Sequence, residues 1–271
     1  MSPIKIENLH KSFGPKHVFT GLDLEIEKGE THVVIGRSGE GKSVLLRHLS
    51  GLMRPDSGRI TINDLVMHKD PEALKWVRRN VSMVFQMAAL FDSLTVYENV
   101  AFFWIENGGK TKKEMNRIVS ELLELVDLPR TEHLYPAELS GGMRKRVGLA
   151  RALACEPEIV LYDEPTTGLD PVTSEVINEL MMRARGRAGS NITSIVITHD
   201  MKSAYTVGDR ISMLYEGRII HTGTPDEIRF SNHPIIHQFV NGLSKGPITD
   251  EEDTLVQSKV SQVVDRARLQ P

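Results

Sequence analysis

The fold of this chain is decided by the stretch Gly36-Arg37-Ser38-Gly39-Glu40-Gly41-Lys42-Ser43, which matches the pattern G-x-x-x-x-G-K-[ST]. An apolar run, Thr31–Ile35, is predicted to be a strand before it, and Gly41–Leu49 a helix after it. In this setting the glycines let backbone N–H groups close on phosphate oxygens, and the helix turns its positive end toward them. Lys42 can reach the β- and γ-phosphates, and the Ser43 hydroxyl can ligate Mg²⁺. The alternative, a glycine-rich turn without a ligand, is disfavoured by the strand and the helix on either side.

An acidic pair marks the end of a second apolar run, Ile159–Tyr162. A buried strand there would deliver Asp163 and Glu164 to the carboxyl edge of a sheet, where open α/β sheets bind ligands. We therefore expect Asp163 to hold Mg²⁺ and Glu164 to polarise an attacking water. Such a pair is more often a helix N-cap or a turn, but the phosphate loop favours the catalytic interpretation.

Strand and helix signals alternate along the chain, which predicts an α/β fold with a parallel sheet. The part from about residue 88 to residue 155 is different, because helix signals dominate it. Thr95 with Glu98, and Thr111 with Glu114, each match the capping box that begins many helices. We interpret this part as a mostly helical insert between strands of the sheet.

The composition excludes several classes of protein. Of 271 residues, 33 are Lys or Arg and 36 are Asp or Glu, so the net charge of -3 lacks the basic footprint of a nucleic-acid binder, and no nucleic-acid partner is expected. A single cysteine, Cys155, excludes an internal disulfide and a multi-cysteine zinc site. No apolar run approaches the roughly 18 residues of a membrane-spanning helix, so we expect that the chain does not cross a membrane itself.

A third motif, Leu139-Ser140-Gly141-Gly142-Met143, resembles the LSGGQ signature of ATP-binding-cassette (ABC) ATPases. The other motifs of that family stand in the right order between about residue 3 and residue 230, and the ordered set is very specific. The set comprises the phosphate loop at 36–43, the Q-loop at Gln86, the signature at 139–143, the Walker B pair Asp163-Glu164, the D-loop Gly168-Leu169-Asp170 and the switch residue His199, with Phe13 in the place of the adenine-stacking aromatic.

This resemblance implies a fold and a site. The fold is α/β, the P-loop NTPase nucleotide-binding domain of ABC proteins, with a RecA-like core, an antiparallel β subdomain and a helical subdomain at about 88–155. Residues 1–230 would form this ATPase domain and residues 231–271 a C-terminal extension. ATP and Mg²⁺ are the implied cofactors. The implied catalytic residues are Glu164 and His199, the Mg²⁺ ligands are Ser43, Gln86 and Asp163, and the ATP-binding residues are Phe13, Gly36, Arg37, Ser38, Gly39, Glu40, Gly41, Lys42, Ser43, Gln86, Ser140, Gly141, Gly142 and Asp170.

The resemblance also implies partners. In ABC ATPases one chain supplies the Walker residues and the other chain supplies the signature, whose turn and helix start bind the γ-phosphate. This chain contains one set of motifs, so a second copy or a related chain is required. Integral membrane permease subunits are the further partners of the cassettes that power transport.

Three sequence features indicate which kind of ABC ATPase the chain resembles. The signature ends in Met143, whose thioether cannot replace the hydrogen bonds of a Gln amide. The second feature is the run Phe85-Gln86-Met87-Ala88-Ala89-Leu90-Phe91, and the third is Gln238-Phe239-Val240-Asn241-Gly242-Leu243 with Gly246-Pro247. Together they are similar to the ATPase of the Mla/Mce-type phospholipid transporters of Gram-negative envelopes. That similarity implies phospholipid trafficking between the inner and outer membranes. The chain would lie at the cytoplasmic face of the inner membrane, bound peripherally through the permease, and a small regulatory subunit and a lipid-binding MCE protein would be further partners.

Two other functions stay open at this point. One is a soluble ABC ATPase of iron–sulfur cluster assembly, and the other is an ABC ATPase for a non-lipid substrate. The residues beyond about 248 also allow two interpretations, because an acidic run at 250–253 precedes valines at helical spacing. They form either a solvated, frayed tail or a helix that packs on a second subunit.

Overall fold

The computed structural model describes residues 4–186 and 191–249. The chain divides into two compact units, residues 1–222 and 223–271. The domain boundary predicted at residue 230 and the helical subdomain predicted at about 88–155 stay predictions. Among the described residues, no helix is both long and apolar enough to cross a membrane.

The elements follow the alternation that the sequence predicts. The strands are β1 (Ile4–Phe13), β2 (Lys16–Ile26), β3 (Thr31–Ile35), β4 (Ser57–Ile62), β5 (Leu65–Val66), β6 (Val81–Val84), β7 (Ile159–Asp163), β8 (Thr193–Ile197), β9 (Arg210–Tyr215) and β10 (Arg218–Gly223). The helices are α1 (Lys42–Leu49), α2 (Pro71–Asn80), α3 (Val96–Asn107), α4 (Lys112–Leu125), α5 (Gly141–Ala154), α6 (Pro171–Arg185), α7 (Met201–Val207), α8 (Pro225–Arg229) and α9 (Pro234–Val240), with a 3₁₀ turn at Pro136–Glu138.

Two sheets organise the first unit. A four-stranded sheet has the order β2-β1-β4-β5, and its neighbouring strands pair antiparallel. A six-stranded sheet has the order β10-β9-β3-β8-β7-β6, and β3, β6, β7, β8 and β9 pair parallel. The predicted parallel sheet is therefore confirmed. Every residue of β3 and of β8 is buried, as expected for central strands covered on both faces.

The register of the parallel sheet positions the candidate site. Val34 of β3 lies beside Ile197 of β8, and Asp163 of β7 lies on the other side of the same Ile197. The loops that leave the carboxyl ends of β3, β7 and β8 therefore begin next to one another. This edge is where ligands bind in open α/β sheets.

Helices α3, α4 and α5 lie between β6 and β7 in the chain. Both capping boxes are confirmed: Thr95 and Glu98 bond reciprocally at the start of α3, and Thr111 and Glu114 do so at the start of α4. The helices bury apolar side chains such as Val100 and contact one another. The indole of Trp104 donates a hydrogen bond to the carbonyl of Ala154 (3.2 Å), which ties α3 to the end of α5.

The described part of the second unit contains α8 and α9. Ile228 and Ile236 are fully buried. The buried side chain of Gln238 accepts a hydrogen bond from the backbone N–H of Ile248 (2.8 Å) and donates one to the carbonyl of Leu243 (3.2 Å). The acidic run at 250–253 and the valines beyond it lie outside the described residues.

Candidate active site

The phosphate loop, residues 36–43, connects β3 to α1. Close packing requires two of its glycines: a Cβ on Gly36 would lie 2.5 Å from the carbonyl oxygen of Leu214, and a Cβ on Gly41 would lie 2.5 Å from Val18. Gly41 has a left-handed backbone (φ 101°) and is the N-cap of α1, and no side chain caps this helix start. The first N–H groups of α1 therefore face the loop, as an anion site requires.

Lys42 is the charged group of this loop, and its side chain is buried. Its Nζ donates hydrogen bonds to the carbonyl oxygens of Gly36 (2.7 Å) and Arg37 (2.9 Å) and lies 4.0 Å from Oε1 of Glu164. Burial lowers the pKa of Lys42, and the nearby carboxylate of Glu164 opposes that shift. The ammonium group is thus positioned at the loop and beside the predicted catalytic carboxylate.

Ser43 and Asp163 meet across the loop. The Ser43 hydroxyl donates a hydrogen bond to Oδ1 of Asp163 (2.9 Å). Burial raises the pKa of Asp163, and the hydrogen bond from Ser43 opposes that shift. A hydroxyl and a carboxylate are oxygen ligands of the kind that Mg²⁺ takes beside substrate phosphates. No group of three or more His, Cys, Asp or Glu that could hold a metal occurs among the described residues.

Glu164 directly follows β7 and has a left-handed backbone (φ 50°). Its N–H donates to the carbonyl of Ile197 (2.9 Å), which fixes the bend against β8. Oε2 accepts a hydrogen bond from the Thr167 hydroxyl (2.9 Å) and lies 2.8 Å from Nδ1 of His199. The side chain of Glu164 is 13% exposed and that of His199 is 53% exposed, so the carboxylate is largely buried and its histidine partner faces solvent.

A cavity of about 540 Å³ collects most of the predicted residues. Phe13, 46% exposed, stands among its lining residues. Four lining residues were not predicted: Lys16, Val18, Val44 and Thr167. The predicted residues that line it are Phe13, Ser38, Gly39, Gly41, Lys42, Ser43, Gln86, Glu164 and His199.

Three residues of the phosphate loop do not line this cavity. The carbonyl groups of Gly36 and Arg37 hold Lys42, as described above. The carboxylate of Glu40 accepts a hydrogen bond from the N–H of Glu216 (2.9 Å), which ties the loop to the turn after β9. These residues shape the loop around the cavity.

The signature residues and Asp170 lie outside the cavity of their own chain. Ser140 caps α5, and its hydroxyl accepts a hydrogen bond from the N–H of Met143 (3.2 Å). Asp170 caps α6 by accepting hydrogen bonds from the N–H groups of Val172 and Thr173 (both 3.0 Å). Ser140, Gly141 and Asp170 are exposed and Gly142 is half-buried, so the start of α5 is open to a partner.

Thr167 was not predicted as a site residue, although the sequence contains a signal for it. Thr167 stands three residues after Glu164, a spacing at which a hydroxyl returns to a carboxylate in a turn. Lys16, which pairs with Phe13 in the β1–β2 hairpin, and Lys145, two residues after the signature, match no motif that would mark them as site residues. Lys145 of α5 donates hydrogen bonds to the carbonyl oxygens of Pro165 (2.9 Å) and Thr167 (2.6 Å).

Comparison with known proteins identifies relatives of this architecture. The family model described as "ABC transporter" matches residues 19–167. The chain is 39% identical over 264 residues to the protein TRIGALACTOSYLDIACYLGLYCEROL 3, chloroplastic, of Arabidopsis thaliana, covering 90% of this chain and 75% of the relative. It is also 39% identical over 251 residues to the probable ribonucleotide transport ATP-binding protein mkl of Mycobacterium leprae, covering 92% of this chain and 72% of that protein.

A solved structure supports the fold assignment. The ATP-binding cassette MJ0796, described as dimeric, in a post-hydrolysis state and bound to ADP and Pi, superposes with a TM-score of 0.73. It is 32% identical in sequence, and the match covers 82% of this chain and 98% of the cassette. The predicted cassette fold, with a parallel sheet, an antiparallel sheet and helices, is confirmed.

Proposed function

Since the chain belongs to the ABC transporter family and is an ABC-type ATPase, we propose that it powers phospholipid trafficking between the inner and outer membranes of a Gram-negative envelope. The observation that carries the ATPase activity is the convergence of Lys42, Asp163, Glu164 and His199 at the carboxyl edge of the sheet. The lipid proposal is supported by the Mla/Mce-type sequence features and by a plant relative whose name refers to a glycerolipid.

The residues of the site have separate roles in ATP hydrolysis. The loop N–H groups and Lys42 bind the β- and γ-phosphates, and Phe13 stacks on adenine. Ser43, Gln86 and Asp163 would hold Mg²⁺, which neutralises charge on the phosphates when it is bound.

Glu164 is the residue that acts on the attacking water. Its carboxylate accepts the proton of the water as the nucleophile approaches the γ-phosphate. His199, 2.8 Å from Oε2, orients the carboxylate, and the Thr167 hydroxyl donates a hydrogen bond to the same oxygen. We therefore assign Glu164 as the general base, with His199 and Thr167 as the residues that position it.

A complete site requires two copies of the chain. Ser140, Gly141, Gly142 and Asp170 stand outside their own cavity, at exposed helix starts. In a homodimer the start of α5 of one copy would reach the γ-phosphate bound by the other copy, where helix N–H groups favour an anion. The dimeric state of the related cassette MJ0796 supports this arrangement.

Membrane attachment is proposed to occur through permease subunits. The segment after β6 exposes apolar side chains, with Met87 85%, Phe91 43% and Phe85 38% exposed, next to the Q-loop residue Gln86. A permease helix laid on these side chains would place the ATPase at the cytoplasmic face of the inner membrane. A small regulatory subunit and a lipid-binding MCE protein complete the proposed complex.

Genetic complementation tests the lipid proposal. The chromosomal gene is deleted, and wild-type chain, Glu164→Gln and the exposed control Glu179→Gln are expressed in its place. We expect the wild type and the control, but not Glu164→Gln, to restore the normal distribution of phospholipid between the two membranes. A normal lipid distribution in the deletion strain would refute the lipid proposal. Impaired nucleotide uptake would then favour a non-lipid substrate, and low activity of iron–sulfur enzymes would favour cluster assembly.

A further inference from the structure

Lys145 is a half-buried cation on the helix that begins at the signature. It stands five residues after Ser140, in the second turn of α5. Its Nζ donates hydrogen bonds to two backbone carbonyl groups of the loop after β7, those of Pro165 (2.9 Å) and Thr167 (2.6 Å). One side chain therefore bridges the signature helix and the loop that carries Glu164.

This loop fixes the catalytic carboxylate. Thr167 donates from its N–H to the Glu164 carbonyl (3.2 Å) and from its hydroxyl to Oε2 of Glu164 (2.9 Å). Glu164 itself has the left-handed backbone, which for a non-glycine residue persists only where its surroundings hold it. By fixing the backbone of Thr167, Lys145 fixes the group that aims the carboxylate.

The positive charge of Lys145 strengthens this contact. Hydrogen bonds from an ammonium group are shorter and stronger than those between neutral groups, and Lys145 directs two of them into one loop. Burial lowers the pKa of Lys145, and the negative charge of Glu164 opposes that shift. The ammonium thus holds the loop and at the same time places a positive charge near the carboxylate.

We propose that Lys145 is a positioning residue that couples the start of α5 to Glu164. When the start of α5 engages the nucleotide of the second copy, Lys145 transmits the position of that helix to the carboxylate of its own chain. The proposal rests on the proposed function, because it needs Glu164 to act on the attacking water and the signature to contact the partner's nucleotide.

Steady-state kinetics of the full chain test this coupling with Lys145→Met, which keeps an unbranched apolar side chain and loses both hydrogen bonds. We expect kcat for ATP hydrolysis to fall by about 10- to 100-fold, with KM for ATP and the Kd for ADP changed by less than about twofold. Lys145→Arg should recover most of the loss because it restores cationic donors. The control Lys75→Met, at an exposed ion pair with Glu72, should behave as wild type.

A second variant keeps the test decisive if Lys145→Met unfolds. Thr167→Val removes the hydroxyl that bonds to Glu164 at nearly constant volume. We expect it to lower kcat as well, and the double variant with Lys145→Gln to lose less than the product of the two single losses, because both residues act through Glu164. Unchanged kcat in a folded Lys145→Met variant, or equal losses in ADP affinity and kcat, would overturn the coupling. If Glu164→Gln also hydrolysed ATP normally, the proposed site itself would fail, whereas an inactive Glu164→Gln beside an active Lys145→Met would refute the coupling alone.

Discussion

Replacement of Glu164 by Gln isolates the contribution of one negative charge to catalysis. The side chain keeps its size and one oxygen acceptor, which can remain at the position where Oε2 contacts Thr167 and His199. The other carboxylate oxygen becomes an NH₂ group, which cannot accept a hydrogen bond. Loss of a positioned general base lowers rates by about 100- to 10,000-fold, which corresponds to about 2.7–5.4 kcal/mol in the activation barrier. We therefore expect kcat to fall within that range.

ATP affinity, unlike kcat, should not fall in Glu164→Gln. Glu164 stands 4.0 Å from the ammonium of Lys42, and two unit charges at that distance attract by an upper limit of about 4 kcal/mol at an effective dielectric constant of 20. Without the carboxylate, Lys42 can give this attraction to the phosphates of ATP. ATP affinity should thus be retained or increased, and a closed dimer should accumulate because hydrolysis no longer opens it.

The assay combines phosphate release, equilibrium ATP binding and sedimentation velocity on the purified full chain. The matched control is Glu179→Gln, which removes an exposed carboxylate paired with Arg183 and should leave all three measurements unchanged. Wild-type phosphate release by Glu164→Gln would remove Glu164 from its role. Loss of ATP binding would also refute the reasoning, because it would assign the residue to the nucleotide pocket.

Three further predictions concern the same unit. Lys42→Met should weaken ATP binding by about 100-fold or more, because the proposed hydrogen bonds from its ammonium to the β- and γ-phosphates, worth about 1.5–3 kcal/mol each, are lost. Titration calorimetry measures this loss, and a change below threefold would contradict the prediction. Phe13→Ala should weaken ADP binding by about 5- to 100-fold, as for loss of a base-stacking aromatic, while inorganic tripolyphosphate, which has no base, should bind as before; equal losses for both ligands would exclude stacking. Burial alone would raise the pKa of Glu30, but hydrogen bonds from the His32 ring and the Glu27 N–H lower it overall. The stabilisation from the Glu30 carboxylate is therefore present above the ordinary carboxyl range and lost as pH falls through the lowered pKa. Glu30→Gln should thus make the free energy of unfolding, measured with urea at a series of pH values, fall less steeply at acid pH. An unchanged slope would contradict this prediction.

The sequence was most informative where function depends on local chemistry. The phosphate loop needs glycines and a lysine in one short stretch, and the acidic pair needs a buried strand before it, so both could be predicted together with the parallel sheet. Lys16 and Lys145 were missed although they lie close in sequence to the predicted residues Phe13 and Ser140, because a lysine at these positions matches no motif and its contacts depend on packing. Pairwise packing of this kind has no signature in one sequence.

The signature helix α5 also stabilises the strained backbone of the Q-loop. Ala88 and Ala89, just after Gln86, both have left-handed backbones (φ 59° and 48°), which cost of order 1–3 kcal/mol each. The guanidinium of Arg151, on α5, donates hydrogen bonds to both of their carbonyl groups (3.0 and 2.8 Å) and stands over the ring of Phe91. Charge-assisted bonds of this kind are strong enough to offset that strain. Helix α5 therefore holds the Q-loop through Arg151, as it holds the Glu164 loop through Lys145, and a displacement of this helix must act on both loops together.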